Sequence, residues 1–137
     1  MLVKDVMTTD FRLASPQTTL RQAAEMMRDG NYGYLPIGED DRLTGAVTDR
    51  DIVVRGVAAG YEPQTAISTV MSKSIVYCFE DDEIAEAGEL MSRQQIRRLC
   101  VMNKNKRMVG VVTLGDIARV GYNAKLAGDI EAQVAQH

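Results

Sequence analysis

The hydrophobic positions of this chain follow one pattern twice. A short apolar run predicts a strand near residues 11–15 and again near residues 75–79. Apolar residues then recur at spacings that place them on one face of a helix. They are Leu20, Ala23, Ala24 and Met27 in the first half, and Ile84, Ala87, Gly88 and Met91 in the second. Thr18 and Asp82 are the predicted N-caps of these two helices.

Each of these helices is followed by two apolar strands, a polar turn between them, and a second helix. The strands read YGYLPI and RLTGAVT in the first half, and RRLCVM and RMVGVVT in the second. The second helix is predicted over about residues 49–59, and from about residue 114 to residue 119 or a little beyond. Each half is therefore β-α-β-β-α, and the predicted fold class is α/β (α+β) with two repeated units.

The two halves align with each other over nearly their whole length. Val6-Met7 is matched by Val70-Met71, and the run GAVTDRDI is matched by GVVTLGDI. The predicted organisation is a first repeat at residues 1–60, a linker at 61–66, a second repeat at 67–121 and a tail at 122–137. The linker contains Pro63, which breaks helix. The tail has helical spacing of apolar residues, and it is either one more helix or a frayed terminus.

Composition excludes several classes of function. The chain has 137 residues, 45% hydrophobic and 26% charged, with a net charge of -3. This charge balance argues against nucleic acid as a partner, and no apolar run is long enough for a membrane span. With two cysteines and no secretory signal, we expect free thiols and a cytoplasmic protein. The only histidine is His137, so we expect no metal site and no histidine-based enzyme chemistry.

A Thr-x-x-Asp motif follows the last strand of each half, at Thr48/Asp51 and at Thr113/Asp116. The structural interpretation is a capping box, in which the aspartate near a helix N-terminus contributes about 0.3–1 kcal/mol. The functional interpretation is a nucleoside site, because a carboxylate can accept hydrogen bonds from two neighbouring ribose hydroxyls. The residues alone leave both interpretations open.

The ordered features VKDVM, YGYLPI and GAVTDRDI, and their repeats ISTVM, RRLCVM and GVVTLGDI, resemble the CBS domain. Two such domains in tandem form a Bateman module, and the chain is similar to small stand-alone prokaryotic proteins of this type. The resemblance implies two units related by pseudo-two-fold symmetry and a flat homodimer. It also implies a non-catalytic regulatory module that signals to an unidentified protein. Its expected ligand is AMP, ADP, ATP, NAD(H) or an S-adenosyl compound, with no covalent cofactor.

The resemblance further implies ligand clefts that the two repeats share. Thr113 and Asp116 are expected to act with the strand of the first repeat and with its leading segment, namely Tyr32, Gly33, Tyr34, Pro36, Met7, Phe11 and Arg12. Thr48 and Asp51 are expected to act with the corresponding residues of the second repeat, namely Ile96, Arg97, Arg98, Cys100, Met71, Ile75 and Val76. Backbone amides would read the adenine edge and apolar side chains would hold the ring, although many of these apolar atoms belong equally well to a core.

Phosphate groups require cations, and Arg97, Arg98 and Arg50 are the candidates. A guanidinium group binds phosphate in a bidentate manner, while the alternative is an arginine pair on a solvated surface. The first repeat has Gly33 and Tyr34 where the second has the arginine pair, which predicts two unequal sites. Pro36 stands where the second repeat has Cys100, and a buried cysteine that packs as a small apolar group is favoured over a redox sensor.

The competing hypothesis is a ligand-free structural or interaction module that dimerises through apolar helix faces. Ile52, Val53 and Ile117 are the residues that such a dimer would use. An enzyme is not predicted, since no base, nucleophile or metal set converges in the sequence.

Overall fold

The computed structural model describes residues 1–120 and divides them into two compact units. The continuous unit is Arg12–Ile75, and the two-segment unit combines Met1–Phe11 with residues from Val76 onward. These units do not coincide with the repeats. The leading segment of the first repeat, residues 1–11, belongs to the unit that contains most of the second repeat, and the leading segment of the second repeat, residues 67–75, belongs to the unit that contains most of the first. The repeat boundaries stay a prediction about the sequence. The helix predicted in the tail, 122–137, lies outside the described residues.

The continuous unit contains the helix α1 (Leu20–Gly30), the strands β1 (Tyr34–Glu39) and β2 (Arg42–Thr48), a π-helix (Asp51–Val57) and a 3-10 helix (Ile67–Thr69). The N-cap of α1 is Thr19, whose hydroxyl accepts from Gln22 N–H at 3.1 Å. The prediction of Thr18 was wrong, because the Thr18 hydroxyl accepts from Ser15 N–H in the preceding turn. The strand predicted over 11–15 is reduced to one parallel bridge from Ala14 to Ile37.

The two-segment unit contains a 3-10 helix (Val3–Asp5), the strand β3 (Tyr77–Phe79), α2 (Ile84–Gln94), the strands β4 (Arg98–Met102) and β5 (Met108–Thr113), and α3 (Leu114–Arg119). The N-cap of α2 is Glu83. The prediction of Asp82 was wrong by one residue, because its carboxylate accepts from Phe79 N–H and closes the preceding turn. The bounds predicted for α3 are confirmed.

Each unit has a small sheet, and the last strand of each sheet also forms a β-bridge with the leading segment of one repeat. β1 pairs antiparallel with β2, and β4 pairs parallel with β3 and antiparallel with β5. In the continuous unit Ser72 bridges Ala46 of β2, and in the two-segment unit Thr8 bridges Val111 of β5. Any side chain at the glycines beside these bridges would come too close to the neighbouring backbone. A Cβ on Gly45 or on Gly110 would lie 2.8 Å from the carbonyl oxygen of Ser72 or of Thr8, respectively.

Apolar side chains form one core in each unit. Ile52 and Ile117 belong to these cores and are 8% and 2% exposed, so the suggestion that they form a dimer face was wrong. Cys78 and Cys100 are both buried and are not joined in a disulfide, and the burial predicted for Cys100 is confirmed. The mixed helix-and-strand fold class is confirmed. Across residues 1–120, no helix combines the length and the apolar character needed to cross a membrane.

Candidate functional site

The first Thr-x-x-Asp motif joins the end of β2 to the helical turn before the π-helix. Asp51 N–H donates to Thr48 Oγ1 at 3.1 Å, and Thr48 N–H donates to Asp51 Oδ2 at 2.9 Å. These reciprocal bonds form a capping box, so the structural interpretation of the motif is confirmed. The second carboxylate oxygen, Oδ1, lies 4.0 Å from a guanidinium nitrogen of Arg55, and the Asp51 side chain is 22% exposed.

The second motif has the same backbone bonds and a different surrounding. Asp116 N–H donates to Thr113 Oγ1 at 3.1 Å, and Thr113 N–H donates to Asp116 Oδ2 at 2.9 Å. Here Oδ1 accepts a hydrogen bond from the guanidinium group of Arg119. The Asp116 side chain is only 7% exposed, whereas that of Arg119 is 74% exposed. Both carboxylate oxygens of Asp116 are therefore occupied by donors of the protein.

A cleft of about 390 Å³ lies beside the second motif in the two-segment unit. Its lining residues are Arg97, Arg98, Thr113, Leu114, Gly115 and Ala118. The backbone fixes the arginine pair at this cleft, because Leu114 N–H donates to the Arg97 carbonyl at 3.0 Å and Arg98 pairs with Thr113 across the sheet. Gly115 leaves the wall open, since a Cβ there would meet only Thr113 Oγ1, at 3.7 Å.

The corresponding position of the continuous unit has the same backbone frame and other side chains. Asp49 N–H donates to the Gly33 carbonyl at 3.0 Å, and Tyr34 pairs with Thr48. The Asp49 carboxylate fills the space over Gly33, where an added Cβ would lie 2.7 Å from Asp49 Oδ2. This position therefore presents a carboxylate where the second repeat presents the arginine pair.

The predicted site residues are divided between the two units. The two-segment unit holds Thr113, Asp116, Met7, Phe11, Val76, Ile96, Arg97, Arg98 and Cys100. The continuous unit holds Thr48, Asp51, Arg12, Tyr32, Gly33, Tyr34, Pro36, Arg50, Met71 and Ile75. The structure brings Thr113 together with the arginine pair in one cleft. The predicted pairing of each motif with the strand of the other repeat stays a prediction.

Sequence reasoning missed two residues of this region. Arg119 reaches Asp116 because residues three apart lie on one side of a helix, and this spacing is visible in the sequence. Gly115 was missed because its contribution is the absence of a side chain at the cleft. Within residues 1–120, no group of three or more His, Cys, Asp and Glu side chains is placed to hold a metal ion.

Comparison with protein families gives the same result for both repeats. The model of the CBS domain matches residues 3–56 and again residues 67–123. The chain is 42% identical over 116 residues to the CBS domain-containing protein YhcV of Bacillus subtilis, covering 85% of this chain and 82% of the relative. It is also 42% identical over 118 residues to Hypoxic response protein 1 of Mycobacterium tuberculosis, with the same coverage.

Solved structures agree with these relatives. Hypoxic Response Protein I, crystallised with two coordinated zinc ions, has a TM-score of 0.77 at 40% identity and covers 88% of this chain and 98% of its own. The CBS domain pair of protein MJ0100, in complex with 5′-methylthioadenosine and S-adenosyl-L-methionine, has a TM-score of 0.72 at 27% identity. It covers 88% of this chain and 99% of its own.

Proposed function

Because the chain belongs to the CBS domain family, we propose that it is a non-catalytic regulatory module that binds an adenine nucleotide. The observation that carries this proposal is the cleft of the two-segment unit, which two arginines and a threonine line together. Guanidinium groups and hydroxyls are the donors that phosphate oxygens accept from. The MJ0100 complex supports the adenosine part of the ligand.

In this proposal the arginine pair binds the phosphate group, with Arg97 and Arg98 as bidentate donors. Thr113 contributes its hydroxyl proton, since its oxygen already accepts from Asp116 N–H and its O–H remains available to donate. In the continuous unit, Asp51 is the aspartate that we propose for ribose, because its Oδ1 is open enough to accept from a ribose hydroxyl. Arg50 is a further cation for phosphate, next to Asp51 in sequence and exposed.

The signalling role follows from linkage. A ligand shifts the balance between two conformations only as far as it binds one of them more tightly. A nucleotide held by residues of a CBS pair would favour one arrangement of the module, and a protein partner that senses this arrangement would respond. The identity of the nucleotide among AMP, ADP, ATP, NAD(H) and S-adenosyl compounds is part of the proposal, and the arginine pair favours those that carry phosphate.

The test is isothermal titration of the ligand-stripped protein with AMP, ATP, adenosine and S-adenosylmethionine. We expect AMP or ATP to bind, and the double variant Arg97→Gln/Arg98→Gln to bind at least about tenfold more weakly, because charge-assisted hydrogen bonds contribute about 1.5–3 kcal/mol each. Arg93→Gln is the matched control, since Arg93 is an exposed arginine of α2 that does not line the cleft. Circular dichroism establishes that each variant is folded.

Two results contradict the proposal. One is wild-type protein that binds no adenine compound at millimolar concentration. The other is a double variant that binds AMP and ATP as tightly as the wild type, which would place the phosphate elsewhere.

A ligand-free dimeric module is the second candidate, and one observation favours it. Val53, Val54 and Val57 of the π-helix are 58%, 46% and 68% exposed, which leaves an apolar surface that a second copy of the chain would cover. This candidate replaces the first if no adenine compound binds and if Val53→Ser/Val57→Ser converts a dimer into a monomer in sedimentation.

A further inference from the structure

The two aspartates of the Thr-x-x-Asp motifs differ at one oxygen only. Oδ2 accepts from the threonine N–H at 2.9 Å in both repeats. Oδ1 is the oxygen that changes: it lies 4.0 Å from Arg55 in the first repeat, and it accepts directly from Arg119 in the second. The surroundings of Oδ1 therefore decide what each aspartate can offer to a ligand.

The availability of Asp116 to a ribose depends on Arg119. A ribose diol needs a carboxylate that can accept from two hydroxyl groups. The Asp116 carboxylate already accepts from Thr113 N–H and from Arg119, and its side chain is 7% exposed against 22% for Asp51. A ribose hydroxyl that approaches Oδ1 therefore competes with the Arg119 side chain, which is mostly exposed and free to swing into solvent.

The alignment of the repeats shows how this difference arises. Val54 of the first repeat stands at the position of Arg119, and the arginine of the first repeat comes one residue later, at Arg55. Arg119 lies three residues after Asp116 on an α-helix, whereas Arg55 lies four residues after Asp51 on a π-helix, and the two arginines therefore reach their aspartates differently. The same motif is therefore blocked by an arginine in one repeat and open in the other.

We infer that Arg119 is a specificity-determining residue that competes with ribose hydroxyls for Asp116 Oδ1, so that the two aspartates differ in ribose binding. This inference rests on the proposed function. The two-segment unit then offers a cleft for phosphate beside a covered aspartate, and the continuous unit offers in Asp51 an aspartate that is open to a ribose. A ligand can engage Asp116 only at the expense of the Asp116–Arg119 ion pair.

The experiment uses adenosine, which has no phosphate, so that the loss of a cation does not itself weaken binding. Titrations are made in an Asp51→Asn background, where Asp116 is the aspartate left to read ribose. Arg119→Val reproduces the valine of the first repeat, and we expect it to tighten adenosine binding by about threefold or more, the cost of releasing an exposed ion pair. Arg55→Val is the matched control that removes one cation and leaves Oδ1 of Asp116 blocked, and it should change nothing.

The reciprocal variant tests the same inference without altering Asp116 or its ion pair. Val54→Arg places an arginine three residues after Asp51, at an exposed position that tolerates a long side chain. We expect it to weaken adenosine binding to otherwise wild-type protein by about threefold, while Val54→Gln, of similar length and no charge, has little effect.

Several outcomes would overturn the inference. Equal effects of Arg119→Val and Arg55→Val would show that only charge matters. Weaker adenosine binding in Arg119→Val would show that Arg119 contacts the ligand. Binding of AMP that persists while neither Arg119→Val nor Val54→Arg alters adenosine affinity would overturn the inference alone. A wild-type protein that binds no adenine compound would instead overturn the proposed function, and this inference with it.

Discussion

The junction between hairpin and helix occurs twice in this molecule, once after β2 and once after β5. Both junctions have reciprocal Thr–Asp bonds of equal length and a close-packed glycine in the preceding strand, although a π-helix follows the first and an α-helix the second. The side chains differ: one junction carries Asp49 and an open Asp51, and the other carries an arginine pair and a blocked Asp116. The reciprocal Thr–Asp hydrogen bonds fix the conformation of each junction. The side chains around them do not take part in these bonds and can therefore carry opposite charges in the two repeats.

The largest expected effect tests whether the two junctions tolerate an added side chain at their close-packed glycines equally poorly. Gly45→Ala and Gly110→Ala should each lower the free energy of unfolding by about 2–3 kcal/mol, because overpacking against a fixed backbone is costly. In each case the new Cβ would lie 2.8 Å from a carbonyl oxygen that is itself held by a hydrogen bond across the bridge. Urea unfolding measures the loss.

Gly115→Ala is the control for the glycine variants. Its Cβ would meet only Thr113 Oγ1, at 3.7 Å, and alanine is the better helix former by about 1 kcal/mol. We therefore expect unchanged or slightly higher stability. If only one of Gly45→Ala and Gly110→Ala lowered the free energy of unfolding by less than about 0.5 kcal/mol, the segment that packs on that glycine would be able to move. The two junctions would then not be equivalent.

A smaller effect concerns a core position where the repeats differ, Cys78 in the second and Ala14 in the first, each 3% exposed. Burial raises the pKa of the Cys78 thiol from 9.0 to about 12. The folded protein therefore keeps this proton while the unfolded chain loses it, so stability is complete below pH 9 and falls as pH rises toward 12. Between pH 8 and pH 10, this thiol should cost about 1.4 kcal/mol of stability.

Urea unfolding of Cys78→Ala and Ala14→Cys at both pH values checks this expectation. Cys78→Ala should lack this part of the pH dependence, and Ala14→Cys should make it steeper, because it adds a second buried thiol. Lysines and tyrosines titrate in all three proteins alike and cancel in the comparison. An unchanged slope in Cys78→Ala would contradict the raised pKa.

The smallest effect compares the two motif aspartates. Asp51→Asn and Asp116→Asn both keep a side-chain oxygen for the capping box, but only the second loses a direct ion pair, the one with Arg119. Asp116→Asn should therefore be less stable than Asp51→Asn by about 0.5 kcal/mol, a difference that high salt reduces. Equal stabilities at low and high salt would show that the arginine contact contributes nothing to folding.

Much of the fold could be predicted from the sequence, because its signals are local. Apolar spacing located both long helices, and β2 and α3 have the predicted bounds. The N-caps were wrong by one residue in each helix, since Thr18 and Thr19 are adjacent and each satisfies a different backbone N–H. The apolar pattern alone could not pair Thr8 with Val111 or Ser72 with Ala46, because both repeats offer the same pattern. The family resemblance did imply this exchange, since it placed Met7 with Thr113 and Met71 with Thr48.

The candidate site was predictable in composition and less so in arrangement. The Thr-x-x-Asp spacing gave the capping boxes, and the arginine pair was identified as a candidate for phosphate. The closure of Asp116 by Arg119 depends on a side-chain direction that differs by one helical position between the repeats. Periodicity reports which face a residue occupies, and it does not report which of two neighbouring donors reaches an oxygen.

The crossing of the leading segments also has a consequence for the order in which the molecule can be assembled. The continuous unit consists of consecutive residues 12–75, so the residues that pack against each other within it leave the ribosome one after another, without an intervening segment from the other unit. Residues 1–11 are made before the continuous unit, yet the residues that they pair with, such as Val111, are made about a hundred residues later, which is a slow loop to close. During synthesis the residues at the start of the first repeat therefore stay unpaired until β5 of the second repeat has been made.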